Sequence, residues 1–355
     1  MRICYIANSA SSHTEKWVSC FVNLGYEVHV ISHSENKLKG ATVHYINYSI
    51  KNFILKVNEV HKLIKEINPD ILHAHQANTC GLYAVTYNAK NTIVSAWGSD
   101  VLLSPERSFI MRKIVKYVLK KAAFITSDSY YMSEKIIELG GNKEKIFTFP
   151  MGIEDDLEGT RHEYDVNDSN LRIISTRRLE ALYNIDIVIK GFHEALKENS
   201  RLSLTIAADG TDSLRLKELV KDLSIEDKVN FTGRYDLKQL GNMLSEHDVF
   251  ISIPKSDSTS VSLLEAMYCG VFSVVCDLPA NKEWIANGDN GLIIPQGDPQ
   301  KVKEAILWCS KEKQHMKNVS QKNIDIINKR ALWKNNSKIV DDLYKQIFKS
   351  ILNEE

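Results

Sequence analysis

The chain has 355 residues, 43% hydrophobic and 25% charged, and its 45 Lys+Arg balance 45 Asp+Glu to a formal net charge of zero. That length accommodates two domains with cores of their own, and the neutral balance supplies no electrostatic case for a nucleic-acid partner. No window reaches the roughly 18 uninterrupted apolar residues of a membrane span; the six cysteines are scattered without a CxxC pair, so they read as reduced, non-ligating thiols of a cytoplasmic protein.

Short β-rich runs alternate with amphipathic stretches. The chain opens directly on a strand at 2–7, which is not a signal peptide. Strands follow at 27–31, 42–46, 71–74, 92–96, 124–127 and 145–149, with helical patterns between most of them, as at 50–67 and 110–122. This interleaving makes βαβ units and a parallel sheet. A polar, strand-poor segment at 154–170 reads as a linker. The pattern then restarts with strands at 171–175, 202–208, 229–231, 249–253, 272–276 and 291–294. Trp333 and the run 339–348 carry an apolar face at helical spacing, and a final helix, about 333–355, is expected to pack back on the first domain. The prediction is an α/β protein of two Rossmann-like doubly wound domains, 1–160 and 171–330, facing across a cleft, with ligands beyond the carboxyl ends of the strands.

Neither half carries the glycine fingerprint of a dinucleotide site. Asn8-Ser9-Ala10-Ser11-Ser12-His13 follows the first strand and Thr176-Arg177-Arg178-Leu179 follows the strand at 171–175; no G-x-x-x-x-G-K-[ST] occurs. The strongest chemical signal is Ser256-Asp257-Ser258-Thr259-Ser260-Val261-Ser262-Leu263-Leu264-Glu265-Ala266-Met267, after the strand at 249–253. A polar loop entering a helix offers backbone N–H groups and the positive end of the helix dipole to an anion. A carboxylate on either side can grip hydroxyls. Together these predict a sugar diphosphate held by its phosphates and its hydroxyls.

The second half resembles the retaining GT-B glycosyltransferases of the GT4 family. The carrying residues are Arg178-Leu179, Asp209-Gly210, Phe231-Thr232-Gly233, Asp248-Val249-Phe250, the Asp257…Glu265 pair with Ala266-Met267, Cys269-Gly270-Val271, and Asn287-Gly288 through Gly297-Asp298-Pro299. The resemblance covers nearly the whole chain and is densest over 171–306. It implies transfer of a sugar from a nucleotide sugar, a UDP-sugar first of all, to an acceptor hydroxyl with retention at the anomeric carbon. The setting it implies is bacterial surface polysaccharide or glycoconjugate synthesis, with a glycan or lipid-linked acceptor. No cofactor and no metal are expected.

By the same resemblance Arg178 binds the diphosphate, Asp257 faces the donor sugar and Glu265 the ribose. The amides of Val261 and Ser262 take the distal phosphate, and Asp209, Gly210, Arg234 and Tyr235 lie around the nucleotide. Three departures stand out. The family pair is Glu-x7-Glu, so Asp257 is one methylene short. The family lysine five residues after Arg178 is Tyr183, with Arg177 or Lys255 as alternative sources of the charge. A common histidine is Trp97. On the acceptor side the expected residues are His13, His75, Trp97 and Asp100, with Asp100 equally readable as a cap. His73 and His75 alternate onto one side of a strand, a weak metal pattern without a third ligand.

The basic stretch 111–121 suits an anionic membrane surface or open solvent. Two other readings stay open: a nucleotide-sugar epimerase of the same architecture, and a non-catalytic sugar-nucleotide-binding subunit.

Overall fold

The computed structural model describes residues 1–352 except 50, 155–156 and 158–160. Position 50 at the head of the predicted helix 50–67, part of the predicted linker, and 353–355 at the end of the predicted last helix therefore lie outside the described residues. The chain divides into two compact units, Met1–Pro150 with Asn335–Glu355, and Met151–Lys334.

The first unit is built on strands β1 (Arg2–Ile6), β2 (Glu27–Ser32), β3 (Thr42–Tyr45), β4 (Ile71–His75), β5 (Thr92–Ser95), β6 (Phe124–Ser127) and β7 (Ile146–Thr148). They form one parallel sheet in the order β3-β2-β1-β4-β5-β6-β7. Every residue of β4 is buried, as expected of a central parallel strand covered on both faces. The predicted helix 50–67 is a 3-10 turn, Phe53–Lys56, followed by the α-helix Val57–Ile67. That helix buries Val60, Ile64 and Ile67 and ends where Asn68 turns left-handed at φ 49°, a conformation Asn tolerates.

The helix Trp333–Leu352 places its later residues in the first unit. Tyr344, fully buried, shares hydrogen bonds with Tyr5 Oη at 2.9 Å and His73 Nδ1 at 2.5 Å. His73 Nε2 meets Ser95 Oγ at 2.7 Å, and Ser95 Oγ meets Thr126 Oγ1 at 2.6 Å. Tyr26 Oη donates to Asp341 at the margin of the same contact. One polar chain thus runs from the last helix through β1, β4, β5 and β6.

The second unit repeats the plan with β8 (Leu171–Ser175), β9 (Leu202–Ile206), β10 (Val229–Phe231), β11 (Val249–Ser252), β12 (Phe272–Cys276) and β13 (Leu292–Ile294), parallel in the order β10-β9-β8-β11-β12-β13. The described part of 151–170, predicted as the end of the first domain and a linker, is packed into this unit. Ile153 bridges Leu332. Tyr164, buried, donates to Asp248 O at 2.8 Å and accepts from Phe272 N at 2.7 Å. The segment's polar composition hid a few apolar anchors that dock on the sheet.

Beneath the sheet, fully buried Asp248 accepts from Arg172 N at 2.8 Å and Arg172 Nε at 3.3 Å, with His162 Nε2 at 3.3 Å and Lys313 Nζ at 3.5 Å. Burial pushes its carboxyl up, but these partners outweigh it and hold the group well below the usual carboxylate range. The cluster lies at the amino ends of the strands, away from the carboxyl-end loops described next.

Candidate functional site

In each sheet the strand order reverses at one point: between β1 and β4, and between β8 and β11. Loops leaving the carboxyl ends of those neighbours diverge and open a crevice.

In the second unit the crevice is lined by the loop after β8 and by 253–260 after β11. Ser260 caps the helix Val261–Tyr268, its Oγ accepting from Leu263 N at 3.3 Å, so the amides of Val261 and Ser262 are the first two of that helix. Asp257 Oδ1 accepts from Ser258 N at 3.1 Å. Its Oδ2 accepts from Arg177 Nη2 at 2.7 Å, while Arg177 Nη1 donates to Ser260 Oγ. The guanidinium also lies 4.5 Å from the centre of the Tyr183 ring. Burial raises the Asp257 carboxyl, and the Arg177 charge opposes that rise.

Half-buried Glu265 stands on the same helix. Its charge, second to burial, helps push the Tyr235 phenol up to about 12, and Tyr235 Oη donates to Thr176 O at 3.3 Å. The structure therefore gathers Arg177, Tyr183, Tyr235, Asp257, Ser260, Val261, Ser262 and Glu265 around one switch point.

Arg178 stands apart from this buried group. Its side chain is 70% exposed and ion-paired with Glu180 at 2.6 Å, whereas that of Arg177 is 8% exposed. Two consecutive arginines after a strand are easy to see in the sequence; which one turns inward is not, because the strand alternation stops at Ser175. Asp209 and Arg234 form an exposed pair at 3.6 Å. Gly210 approaches protein rather than open space: a Cβ there would sit 2.3 Å from the Leu179 carbonyl oxygen, so glycine is required to close the loop against Leu179. Ser260 is a further residue the sequence reading passed over; the signal was the hydroxyl immediately before an apolar helical run.

The first unit's crevice has another character. His75, buried at the end of β4, lies 4.6 Å from the Trp97 ring, and Trp97 is 5.6 Å from His13 (centroid distances). Tyr5 and Trp17 complete the aromatic surround of His75 at 4.9 and 5.3 Å. His75 Nε2 and Trp97 Nε1 are buried and find no hydrogen-bond partner among the described residues. Burial, aided by the Lys16 charge, lowers His13 to about 4; burial and the neighbouring histidines lower His75 as well. Both rings are therefore neutral at pH 7. Asp100 is buried and accepts from Ala77 N at 2.6 Å and Trp97 N at 3.0 Å, so its carboxylate pins the loops after β4 and β5 together. His73 has both ring nitrogens engaged, by Tyr344 and Ser95.

Residues 2–129 match the family profile described as "Glycosyl transferase 4-like", and residues 158–325 match "Glycosyl transferases group 1". The chain belongs to the GT4-type glycosyltransferases. This glycosyltransferase is an enzyme of the hexosyl-transferring kind. It is 24% identical over 269 residues to the N-acetyl-alpha-D-glucosaminyl L-malate synthase of Bacillus anthracis, covering 72% of this chain and 69% of that one. It is 24% identical to an uncharacterised glycosyltransferase of Methanocaldococcus jannaschii over 69% of this chain, and spans 63% of that relative's length.

Among solved structures, the glycosyltransferase superposes on Anabaena HepE in complex with UDP and glucose with a TM-score of 0.79 at 16% identity, covering 97% of this chain and 99% of that one. Against sucrose-phosphate synthase from Thermosynechococcus elongatus the TM-score is 0.82 at 14% identity, covering 99% and 100%. These likenesses establish the GT-B fold. Among the described residues no helix is long and apolar enough to cross a membrane.

Proposed function

We propose that this glycosyltransferase moves a hexose from a UDP-sugar to an acceptor hydroxyl with retention of configuration, and that its second unit binds the donor. The observation that carries the reading is the grouping of a helix N-terminus, two carboxylates and a buried guanidinium at the switch point of the second sheet. In this reading Glu265 accepts from the ribose hydroxyls and Asp257 from the sugar hydroxyls. The amides of Val261 and Ser262 hold the distal phosphate. Arg178, on an exposed side chain, swings from Glu180 to the diphosphate and pairs with its oxygens. Asp209, Gly210, Arg234 and Tyr235 border the nucleotide, and Tyr183 stands where a second cation is common in the family.

The reaction breaks the bond between the anomeric carbon and the leaving phosphate oxygen. It forms a bond to the acceptor oxygen on the same face, and the acceptor's proton passes to the departing phosphate. Charge developing on the diphosphate is the main electrostatic task, and Arg178 with the two amides meets it, so we propose turnover without metal, unchanged by chelator. His13, His75 and Trp97 are assigned to the acceptor side, with Asp100 positioning Trp97. The neutral, aromatic lining suits an uncharged glycan surface. We further propose a cytoplasmic enzyme in surface polysaccharide or glycoconjugate synthesis, with the basic stretch 111–121 resting on an anionic membrane near a lipid-linked acceptor.

A panel of UDP-sugars incubated with the purified chain tests the reading. Release of UDP with transfer or slow hydrolysis supports it. Isomerised donor would replace it with an epimerase, and binding without turnover with a non-catalytic subunit.

A further inference from the structure

Arg177 has no substrate contact in the scheme above, yet its buried guanidinium joins three other side chains of the second unit's crevice. Its three partners come from three separate segments. Asp257 lies in the loop after β11, Ser260 caps the helix Val261–Tyr268, and Tyr183 sits in the turn before the helix Ile185–Leu196. Two of them are the elements assigned to opposite ends of the donor: Asp257 to the sugar, and the Ser260 cap to the amides that face the phosphate.

A guanidinium is a rigid planar fork that can hold two acceptors at a fixed angle, whereas an ammonium on a flexible stem is a point charge. The Tyr183 ring gives that fork a platform through the attraction of a cation for a π face. The phenyl portion suffices for this, so the geometry assigns a purpose to an aromatic residue at 183. Asp257 keeps acceptor capacity after these bonds, because each carboxylate oxygen offers two lone-pair sites and one is used on each.

We propose that Arg177 is the positioning residue of the donor site: it orients the Asp257 carboxylate toward the sugar hydroxyls and, through Ser260, fixes the start of the phosphate-binding helix, with Tyr183 as its support. The proposal rests on the donor-site reading above. It makes sugar recognition and phosphate recognition share one guanidinium, so that disturbing Arg177 affects both while disturbing Asp257 affects the first alone.

The test uses the full chain as wild type, Arg177→Met, Arg177→Lys, Asp257→Asn, the Arg177→Met/Asp257→Asn double variant, and Tyr183→Phe. Calorimetry gives affinities for UDP and for a panel of UDP-hexoses; the ratio of the best UDP-hexose to UDP is the sugar preference. Arg177→Met is expected to reduce that preference about 10-fold, to the level of Asp257→Asn. The double variant is expected to show no greater loss of sugar preference than the single ones, and UDP affinity itself to fall about 3-fold in Arg177→Met and in the double variant but to hold in Asp257→Asn. Arg177→Lys should keep most of the sugar preference but not the full UDP affinity, because it retains the charge and loses the fork. This split still decides the matter if the Met variant does not fold.

A second measurement needs no nucleotide. The carboxyl carbon-13 resonance that disappears in Asp257→Asn is titrated, and its midpoint should rise by about one unit or more in Arg177→Met and stay put in Tyr183→Phe. Wild-type sugar preference in Arg177→Met, additive losses in the double variant, or an unmoved midpoint would overturn the proposal. A wild-type chain that binds no uridine nucleotide at all instead defeats the donor-site reading, and the titration then decides the Arg177–Asp257 pairing by itself.

Discussion

At the carboxyl end of β8 the chain presents an ion pair, Arg177 against Asp257, with Glu265 and a helix N-terminus beside it. At the matching end of β1 and β4 it presents His13, His75 and Trp97, uncharged at neutral pH, around two buried ring nitrogens without partners among the described residues. The amino ends of the two sheets, by contrast, use the same device. Asp70 accepts from Arg2 N at 2.7 Å just before β4, and Asp248 accepts from Arg172 N at 2.8 Å just before β11. Sheet order and amino-end pinning are the shared scaffold, and the carboxyl-end loops carry the difference. A charged edge suits a diphosphate and a neutral aromatic edge suits a sugar, as the division of labour proposed above requires.

The comparison can be broken most forcefully at the amino ends. Asp248→Ala leaves Arg172, His162 and Lys313 facing one another without their carboxylate and is expected to cost about 3–5 kcal/mol in urea unfolding. Asp70→Ala, at a half-buried site, should cost about 1 kcal/mol. Equal losses would show that the two pins are not graded by burial.

Acid should separate the units next. Burial lowers His73 to about 3 and His13 to about 4, and lowers His75, His33 and His44; in the second unit it lowers His247. A histidine kept neutral when folded binds a proton only when unfolded. Its contribution is therefore complete above about pH 6.5 and is lost as pH falls toward the folded value. Asp248, depressed instead, contributes fully above about pH 3.9 and weakens only below it. Between pH 7 and pH 4.5 the first unit should lose on the order of a few kcal/mol more than the second. Scanning calorimetry should then resolve two transitions that draw apart on acidification, and a single transition that moves as one would refute this.

Tyr344→Phe sharpens the point within the first unit. It removes the hydroxyl shared by Tyr5 and His73 and leaves a buried ring nitrogen unpaired, for an expected loss of about 1–3 kcal/mol. The smallest effect on the fold should come from Glu265→Ala, which is aimed at ligand. UDP affinity is expected to drop about 10-fold, worth about 1.4 kcal/mol, with little change in melting. Asp257→Ala should lower turnover with a smaller effect on UDP. Equal UDP affinity in wild type and Glu265→Ala would remove the ribose assignment.

The alternation of β-rich runs with amphipathic stretches was sufficient to read two parallel α/β sheets and their strands to within a residue or two, because burial on both faces of a parallel strand leaves a continuous apolar signature. The order and spacing of the motifs from Arg178 to Pro299 were likewise enough to indicate the family. Direction was beyond reach wherever the chain leaves a regular element. Arg177 turns inward because Ser260 and Asp257, 83 and 80 residues away, meet it there. Asp100 points to Ala77 for the same kind of reason, and the stretch after Met151 joins the second unit because Ile153 meets Leu332 and Tyr164 meets the sheet. Periodicity reports the average surroundings of a helix or strand. A loop side chain has no period, so only the tertiary contacts that satisfy its charge or hydrogen bonds decide where it goes.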